Sequence, residues 1–234
     1  FQDWWNFPGR MMCDTMTSSL VCMQPAGSMA AQYAMNRSGA VDIDAFEDAL
    51  FMSRRNRIHV FDMSAPEAPV EVTSLKLGQK VKDLELDQGI LAAAAGDRIV
   101  VIDVSSPFSP VILSDTPSCG NVTGLEISGS RVTYLTNIGL GVLDIGDPTA
   151  PSLAGFAALL DGGDGTWTAV DFFTGCGGGS LPSSPMVPFD AGDGMAFIGA
   201  ASGLLIVSLA EGGYEVSSLL LLPSSIDELK YDRG

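Results

Sequence analysis

The feature that most constrains this chain is a segment that recurs three times at a step of 41 residues. The copies occupy residues 58–69, 99–110 and 140–151, and they read IHVFDMSAPEAP, IVVIDVSSPFSP and LGVLDIGDPTAP. An aspartate and two prolines stand at matching places in all three copies. An internal repeat of this length indicates one supersecondary unit per copy, stacked against its neighbours. The repeat therefore decides the architecture before any other property of the sequence.

Each repeat is predicted to be a set of strands. Short apolar runs rich in Val, Ile and Leu are separated by turn residues about every 8–12 positions, which is typical of strands and not of helices. The copy at 79–120 predicts four strands: 81–86, 90–95, 99–103 and 111–114. Four-stranded units of this size favour an all-β fold, a β-propeller whose blades pack around a channel.

The repeat divides residues 38–222 into four predicted blades. The fourth is stretched, because Leu140 and its counterpart Leu204 stand 64 residues apart and not 41. We assign the excess to a long loop at 174–194, which is rich in Gly and Pro, and place the first strand of that blade at 166–173. The blade boundaries are 38–78, 79–120, 121–164 and 165–222.

The two ends of the chain lie outside the repeat. Residues 1–37 are predicted to be an N-terminal arm or a ring-closing segment, and 223–234 to be the first strand of a further or split blade. Together they contain about as many residues as one blade, which favours a ring of five blades without exposed sheet edges. The alternative is that the chain is part of a larger ring.

The repeated aspartates and prolines are explained by turn chemistry. The aspartate ends the third strand, where its carboxylate can accept hydrogen bonds from turn amides. The two prolines fix φ and remove donors, so the third strand stops and the chain is directed to a fourth strand. Asp62, Asp103 and Asp144 are therefore predicted to hold turns in place and not to form a catalytic site.

The repeated segments resemble a known family. IHVFDMSAPEAP and IVVIDVSSPFSP are similar to the LVIVD repeat, a propeller repeat of bacterial and archaeal secreted or surface proteins. The resemblance covers residues 38–160 well and 165–222 loosely, since LLIVSL places Ser208 where the aspartate is expected and both prolines are missing. It implies a propeller and an extracytoplasmic location (periplasmic, cell-surface or secreted). It supplies no catalytic residues.

Charge and hydropathy exclude two classes of partner. The chain has 12 basic and 28 acidic residues and a formal net charge of −16, so DNA and RNA are unfavourable partners. An acidic surface of this kind keeps a protein soluble. No stretch approaches the roughly 20 apolar residues of a membrane helix, and no transmembrane segment is predicted.

The four cysteines are Cys13, Cys22, Cys119 and Cys176. They form no CxxC pair, and with one histidine the chain has no usual zinc set. Two disulfides are the simpler interpretation, with Cys13 bonded to Cys22 and Cys119 to Cys176, and they imply an oxidising compartment. Four buried free thiols are the alternative.

The N-terminal aromatic residues are candidate partner-binding residues. Trp4, Trp5 and Phe7 precede a run of methionines, and such adaptable apolar side chains can dock a partner. The alternative is that they pack over one face of the propeller as a cap.

Calcium is the metal that the sequence favours, on a weak pattern. Asp161, Asp164, Asp190 and Asp193 offer oxygen ligands in Gly-rich backbone. The DGGDG motif departs from EF-hand spacing, so solvated acidic turns are the preferred interpretation and no cofactor is predicted. The single histidine, His59, has no Ser or Cys motif beside it for a catalytic triad.

These observations favour a non-enzymatic β-propeller, secreted or on the cell surface, that binds a protein partner through loops on a rigid scaffold. One alternative is an architectural accessory subunit of a larger cell-envelope assembly, docked through the arm at 1–37. The other is a Ca-dependent hydrolase or lyase, for which the chain offers little catalytic chemistry.

Overall fold

The fold is described from a computed structural model. The residues that it describes are 5–7, 11–16, 19–23, 29–34, 40–65, 68–161, 167–172, 189–192, 194–200, 203–210 and 213–221. Within these ranges the regular secondary structure consists of β-strands, as the sequence predicts.

The strands form five sheets, in each of which neighbouring strands are consecutive in the chain. The first sheet contains β1 (Trp5–Phe7), β2 (Met11–Met16), β3 (Ser19–Met23) and β4 (Met29–Ala34). The second contains β5 (Ala40–Phe46), β6 (Ala49–Arg54), β7 (Arg57–Asp62) and β8 (Val70–Lys76). The third contains β9 (Val81–Asp87), β10 (Ile90–Ala95), β11 (Arg98–Asp103) and β12 (Val111–Pro117).

The last two sheets differ in strand number. The fourth contains β13 (Val122–Ser128), β14 (Arg131–Thr136), β15 (Gly139–Asp144), β16 (Ser152–Asp161) and β17 (Trp167–Phe172). The fifth contains β18 (Phe189–Gly192), β19 (Met195–Ala200), β20 (Gly203–Ala210) and β21 (Gly213–Leu221). The architecture of successive four-stranded antiparallel sheets is consistent with a β-propeller-like fold.

The strand predicted at 166–173 belongs to a different sheet from the one expected. It is β17, which pairs with β16 from Phe156 opposite Phe172 to Asp161 opposite Trp167. The first place in the fifth sheet is taken by β18, inside the stretch predicted to be a loop. The reason is local, because the short connection between β16 and β17 permits an antiparallel return that the 41-residue pattern does not contain.

The N-terminal segment forms a four-stranded sheet. Strands β1 to β4 complete four strands between residues 5 and 34. The residues at 223–234, predicted to be the first strand of a further or split blade, lie outside the described residues.

The chain divides into two compact units, which are described separately. The first comprises Phe1–Gly96 and Val100–Leu113, and the second comprises Asp97–Ile99 and Ser114–Gly234. In the first unit β5 and β6 contact β9, and the Asp42 Oδ2 atom accepts a hydrogen bond of 2.7 Å from the Leu84 N–H. The buried apolar residues of its core are Ala49, Phe51, Ile58, Val60, Leu77, Val81, Leu84, Leu91, Ala93, Ala95, Val100, Ile102 and Val104.

In the second unit, two sheets share a core. Strand β13 contacts β18, and Leu135 and Leu140 pack with residues of the fifth sheet. Those residues are Ala191, Ala196, Ile198, Leu205 and Val207. A second cluster contains Cys119, Phe156 and Ala158, which are all buried.

The predicted aspartate turns are confirmed. The Oδ1 atom of Asp62 accepts the N–H of Ser64 at 2.8 Å, and Asp103 accepts that of Ser105 at the same distance. Asp144 accepts from Gly146 at 2.7 Å. Hydrogen bonds from Ser64 and Ser105 lower the pKa of Asp62 and Asp103, because they stabilise the charged carboxylate.

The prolines lie in turns after the third strands. The N–H of Ser109 donates to the Ser106 carbonyl at 2.8 Å, so Pro107 occupies the second position of a four-residue turn. Pro148 lies in the equivalent turn, closed by Ala150 and Asp147. Proline is favoured at this position because its fixed φ matches the turn.

One backbone contact recurs even where the sequence pattern fails. The N–H after the third strand donates to the carbonyl of the turn between the first two strands, at 2.8 Å in both the Val104–Gly89 and Ile145–Ser130 pairs. The Leu209–Gly194 pair has the same bond at 2.7 Å. The fifth sheet therefore keeps the turn geometry of the repeat although Ser208 replaces the aspartate.

Candidate functional site

The exposed large hydrophobic side chains are of interest as a possible binding surface. Among the residues whose side-chain exposure the structure describes, within 42–158, 189–199 and 204–209, they are Val70 (60% exposed) and Val72 (48%) on β8, Phe108 (37%) in the turn before β12, and Val111 (55%) and Ile112 (42%) on β12. All five belong to the first unit. We call them the outer-strand surface.

The position of β8 and β12 explains the exposure. Each is the last strand of its sheet, so one edge has no neighbouring strand among the described residues. Successive side chains of a strand point to opposite faces, yet Val111 and Ile112 are both exposed. The start of β12 therefore extends beyond the packed part of the sheet. In the adjacent strand β11, by contrast, Val101 and Ile102 are fully buried.

Part of the equivalent edge of the fourth sheet, from Phe156 to Asp161, is covered by the chain itself. Its fourth strand, β16, pairs with β17 over six residues of register. Phe156 and Ala157 of β16 are fully buried. The fourth strand of a repeat can therefore accept a fifth antiparallel strand, and in β16 it does.

Polar pairs hold the outer strands against the third strands. The Nδ1 atom of His59 lies 2.7 Å from Glu71 Oε1 across β7 and β8, and Arg98 of β11 forms an ion pair with Asp115 of β12. His59 is thus a partly buried histidine whose side chain contacts Glu71. It is not part of any triad in the described residues.

Several fourth strands share a bulge. In β8, Glu71 is opposite Phe61 and Thr73 is opposite Val60, so Val72 is an extra residue in the register. Ala154 of β16 occupies the same place in the fourth sheet. Such bulges increase twist and limit uncontrolled pairing of an edge. Val72 is therefore exposed at an irregular point of the edge.

Sequence reasoning missed a repeated carboxylate in the first strands. Asp44 lies opposite Phe51, Glu85 opposite Ala92, Glu126 opposite Thr133 and Asp190 opposite Phe197. The first three follow the 41-residue step, which was the available signal, and Asp190 joins them only through strand register. Asp44 and Asp190 are buried.

The second unit contains a cavity of about 200 Å³ between the fourth and fifth sheets. Its polar lining comes from Glu126, Ser128, Arg131 and Thr133, and Val142 and Leu209 are among its apolar lining residues. The register places Glu126 beside Thr133 and Ser128 beside Arg131, so one carboxylate and one guanidinium share this cleft. The sequence did not predict it, because β18 was assigned to a loop.

The calcium candidates are only partly described. Asp161 ends β16 and Asp190 lies in β18 of the next sheet, whereas Asp164 and Asp193 lie outside the described residues. Within the described ranges, no group of three or more His, Cys, Asp or Glu residues is placed to hold a metal ion.

The partner-binding candidates at the N-terminus lie in the first sheet. Trp5 is opposite Cys13 and Phe7 is opposite Met11 in the β1–β2 register. Trp4 lies outside the described residues. Their role in binding stays a prediction.

Three of the four cysteines, Cys13, Cys22 and Cys119, lie among the described residues. Cys13 lies directly opposite Cys22 in the β2–β3 register, and such opposed residues have Cα atoms about 4.5–5.5 Å apart, a span that a disulfide bridges. Cys119 is buried and disulfide-bonded. Its pairing with Cys176 stays a prediction, because Cys176 lies outside the described residues.

Among the described residues, no helix has the length and apolar character required to cross a membrane.

Comparison with known proteins yields similarity of fold alone. No protein-family model matches the chain, and no curated protein matches it. The chain is similar to the computationally designed Ika8 protein, with a TM-score of 0.63 and 16% identity over 97% of this chain and 77% of the designed one. It is similar to a functionally unknown protein from Desulfotomaculum acetoxidans, with a TM-score of 0.65 and 13% identity over 96% of this chain and 74% of that one. It also matches Kluyveromyces lactis Hsv2, with a TM-score of 0.51 and 14% identity over 88% of this chain and 59% of that one.

Proposed function

We propose that this chain is a non-enzymatic protein-interaction module that binds its partner through the outer-strand surface. The observation that carries the proposal is the concentration of exposed apolar side chains on two outer strands of one unit, with Val70 at 60% and Val111 at 55% exposure. Single exposed valines are ordinary on soluble proteins, whereas adjacent exposed apolar residues such as Val111 and Ile112 favour an interaction site.

The location of the surface differs from the one that the sequence favoured. The sequence favoured the loop at 174–194 and the N-terminal aromatic residues. The outer-strand surface is instead carried mainly by β8 and β12, and residues of the neighbouring strand β11, such as Ile102, are fully buried. A surface on a rigid strand loses little conformational entropy on binding, which favours affinity.

The proposal includes a β-propeller, with the five sheets as blades, in an extracytoplasmic compartment. The 41-residue repeat and the recurring turn contacts support equivalent blades. The disulfide of Cys119 supports an oxidising compartment. The resemblance to the LVIVD repeat agrees with both.

The test is partner capture from an extract of the source organism with a surface variant. The four-lysine variant carries Val70→Lys, Val72→Lys, Val111→Lys and Ile112→Lys. The matched control adds the same charge at exposed positions of the second unit: Ser130→Lys, Ala150→Lys, Ser152→Lys and Ala154→Lys. Both variants are first checked for an unchanged melting temperature and circular dichroism spectrum.

We expect the wild type and the control to enrich the same proteins, and the four-lysine variant to lose them. Buried lysines at an interface leave desolvated charges, which weakens binding strongly. Equal enrichment by all three proteins would contradict a role for this surface.

A further inference from the structure

We infer that the outer edges of β8 and β12 bind an extended segment of a basic partner protein, which adds to the sheet as a further antiparallel strand. The inference rests on the proposed function and specifies how the partner is recognised. It assigns affinity to main-chain hydrogen bonds along the edge and specificity to apolar side chains of the partner.

The first argument is that the chain already uses this mode of pairing. β17 adds to the outer edge of β16 in continuous antiparallel register, from Phe156 to Asp161. β8 and β12 are likewise the last strands of their own four-stranded sheets, and no described strand pairs with their outer edges. By the repeat, the stretch of β16 that β17 covers corresponds to residues 74–79 and 115–120, so the precedent applies to this type of strand and not to the exposed starts of β8 and β12. An unpaired edge presents a row of backbone donors and acceptors that can template another strand.

The second argument is the composition of the two edges. Natural proteins usually blunt open edges with charges, prolines or bulges. β8 and β12 begin after Pro69 and Pro110, and β8 also carries the bulge at Val72 and the charge of Glu71. The starts of the two strands nevertheless expose Val70, Val111 and Ile112, which have high strand propensity. In β12 the adjacent Val111 and Ile112 point to opposite faces, so an added strand would contact apolar side chains on both faces.

The negative net charge of the chain favours a basic partner over a second copy of the chain. A second copy of this chain would bring together two molecules of formal net charge −16 each, which opposes pairing between identical edges. Glu71 on β8 and Asp115 on β12 remain 34% and 47% exposed although they already pair with His59 and Arg98 of the adjacent third strands, so the charge argument rests mainly on the net charge of the chain. A partner segment with alternating apolar residues flanked by Lys or Arg complements both properties and associates faster at low ionic strength.

The test is selection from a displayed library of random peptides of about ten residues, long enough to span an edge strand. We expect the wild-type chain to enrich peptides with alternating apolar residues and flanking Lys or Arg. An enriched peptide is then synthesised in two forms, one unmodified and one with N-methyl groups on alternate residues. N-methylation removes the backbone donors and preserves the side chains.

The expected result is that N-methylation weakens binding at least about tenfold and that the four-lysine variant binds neither form. The matched lysine control should bind the unmodified peptide as the wild type does. Raising the salt concentration should weaken binding of the unmodified peptide.

Two results would overturn strand addition and leave the interaction module standing. One is equal binding of the N-methylated peptide, which would mean that side chains alone are recognised. The other is that the library yields no strand-like peptide, while partner capture from the extract is still lost in the four-lysine variant. Dimerisation of the wild type through these edges, seen by sedimentation and lost in the four-lysine variant, would replace the basic partner with a second copy.

Discussion

Tyr134 and Gly141 lie directly opposite each other in the β14–β15 register, and the tyrosine ring occupies the space that a side chain at Gly141 would need. A Cβ atom built on Gly141 overlaps the Cζ atom of Tyr134. The positions 41 residues earlier hold Ala93 and Val100. Large and small residues are therefore exchanged across the same strand pair in neighbouring repeats, and the sheet keeps its packing.

Gly141→Ala is predicted to destabilise the chain by about 1–3 kcal/mol, the usual cost of overpacking a well-packed core. The control is Gly78→Ala, since no heavy atom lies within 4 Å of the added Cβ there. Chemical denaturation measures both. The double variant Tyr134→Ala/Gly141→Val should lose less unfolding free energy than the sum of the losses of its two single variants, because the valine fills space that the tyrosine ring leaves. A double loss equal to that sum would contradict the packing argument.

Stability should fall in alkali because of Tyr134. Burial raises the pKa of the Tyr134 hydroxyl to about 12, although a hydrogen bond with the Cys119 backbone acts in the opposite direction. Above its ordinary pKa of about 10, the unfolded chain ionises while the folded chain does not, so stability is full below pH 10 and is lost as the pH rises toward 12. The loss from this residue is about 2–3 kcal/mol.

The measurement is the free energy of unfolding between pH 9 and 12 for the wild type and Tyr134→Phe. The phenylalanine variant should have a shallower decline over this range. Parallel curves for the two proteins would show that Tyr134 ionises alike in both states.

The aspartate turns predict an effect in acid. Hydrogen bonds from Ser105 lower the pKa of Asp103, so its contribution is complete above the unfolded pKa of about 3.9 and is lost as the pH falls through the lower folded value. Asp103→Asn retains a turn acceptor but does not titrate. Its melting temperature should depend less on pH below 4 than that of the wild type, and an unchanged dependence would exclude this role.

β17 should protect the edge of β16. Val170 lies opposite Ala158 in the β16–β17 register, and Val170→Pro removes a backbone donor and disrupts the strand pair. Hydrogen exchange should then rise in Phe156–Asp161 and stay unchanged in β10. Equal protection of β16 in both proteins would show that β17 does not cover this edge.

The fold could be predicted from the sequence where residues repeat. It could not be predicted where the structure depends on which strands lie next to each other. Asp62, Asp103 and Asp144 recur because each turn needs the same acceptor, so the sheets were readable. β17 was assigned to the wrong sheet because strand propensity does not identify the partner strand. The exposure of Val70 and Val111 could not be predicted, because a valine in a last strand has the same sequence signature as one in a buried strand.

The repeated carboxylates were missed for a different reason. Asp44, Glu85 and Glu126 do follow the step, but they lie within first strands, away from the Asp-Pro-Pro motif that marks the end of the third strand. The equivalence of Asp190 to these carboxylates could not be recognised from the sequence, because it depends on the register of β18 with β19. The cavity beside Glu126 likewise depends on that pairing.

The most direct test of the central claim is the affinity of a library-selected strand peptide for the wild type and for the four-lysine variant, measured by fluorescence anisotropy at one ionic strength. The account predicts binding to the wild type and at least about a tenfold loss in the variant, with the matched lysine control unchanged. Equal affinity for the wild type and the four-lysine variant would contradict the assignment of partner binding to the outer-strand surface.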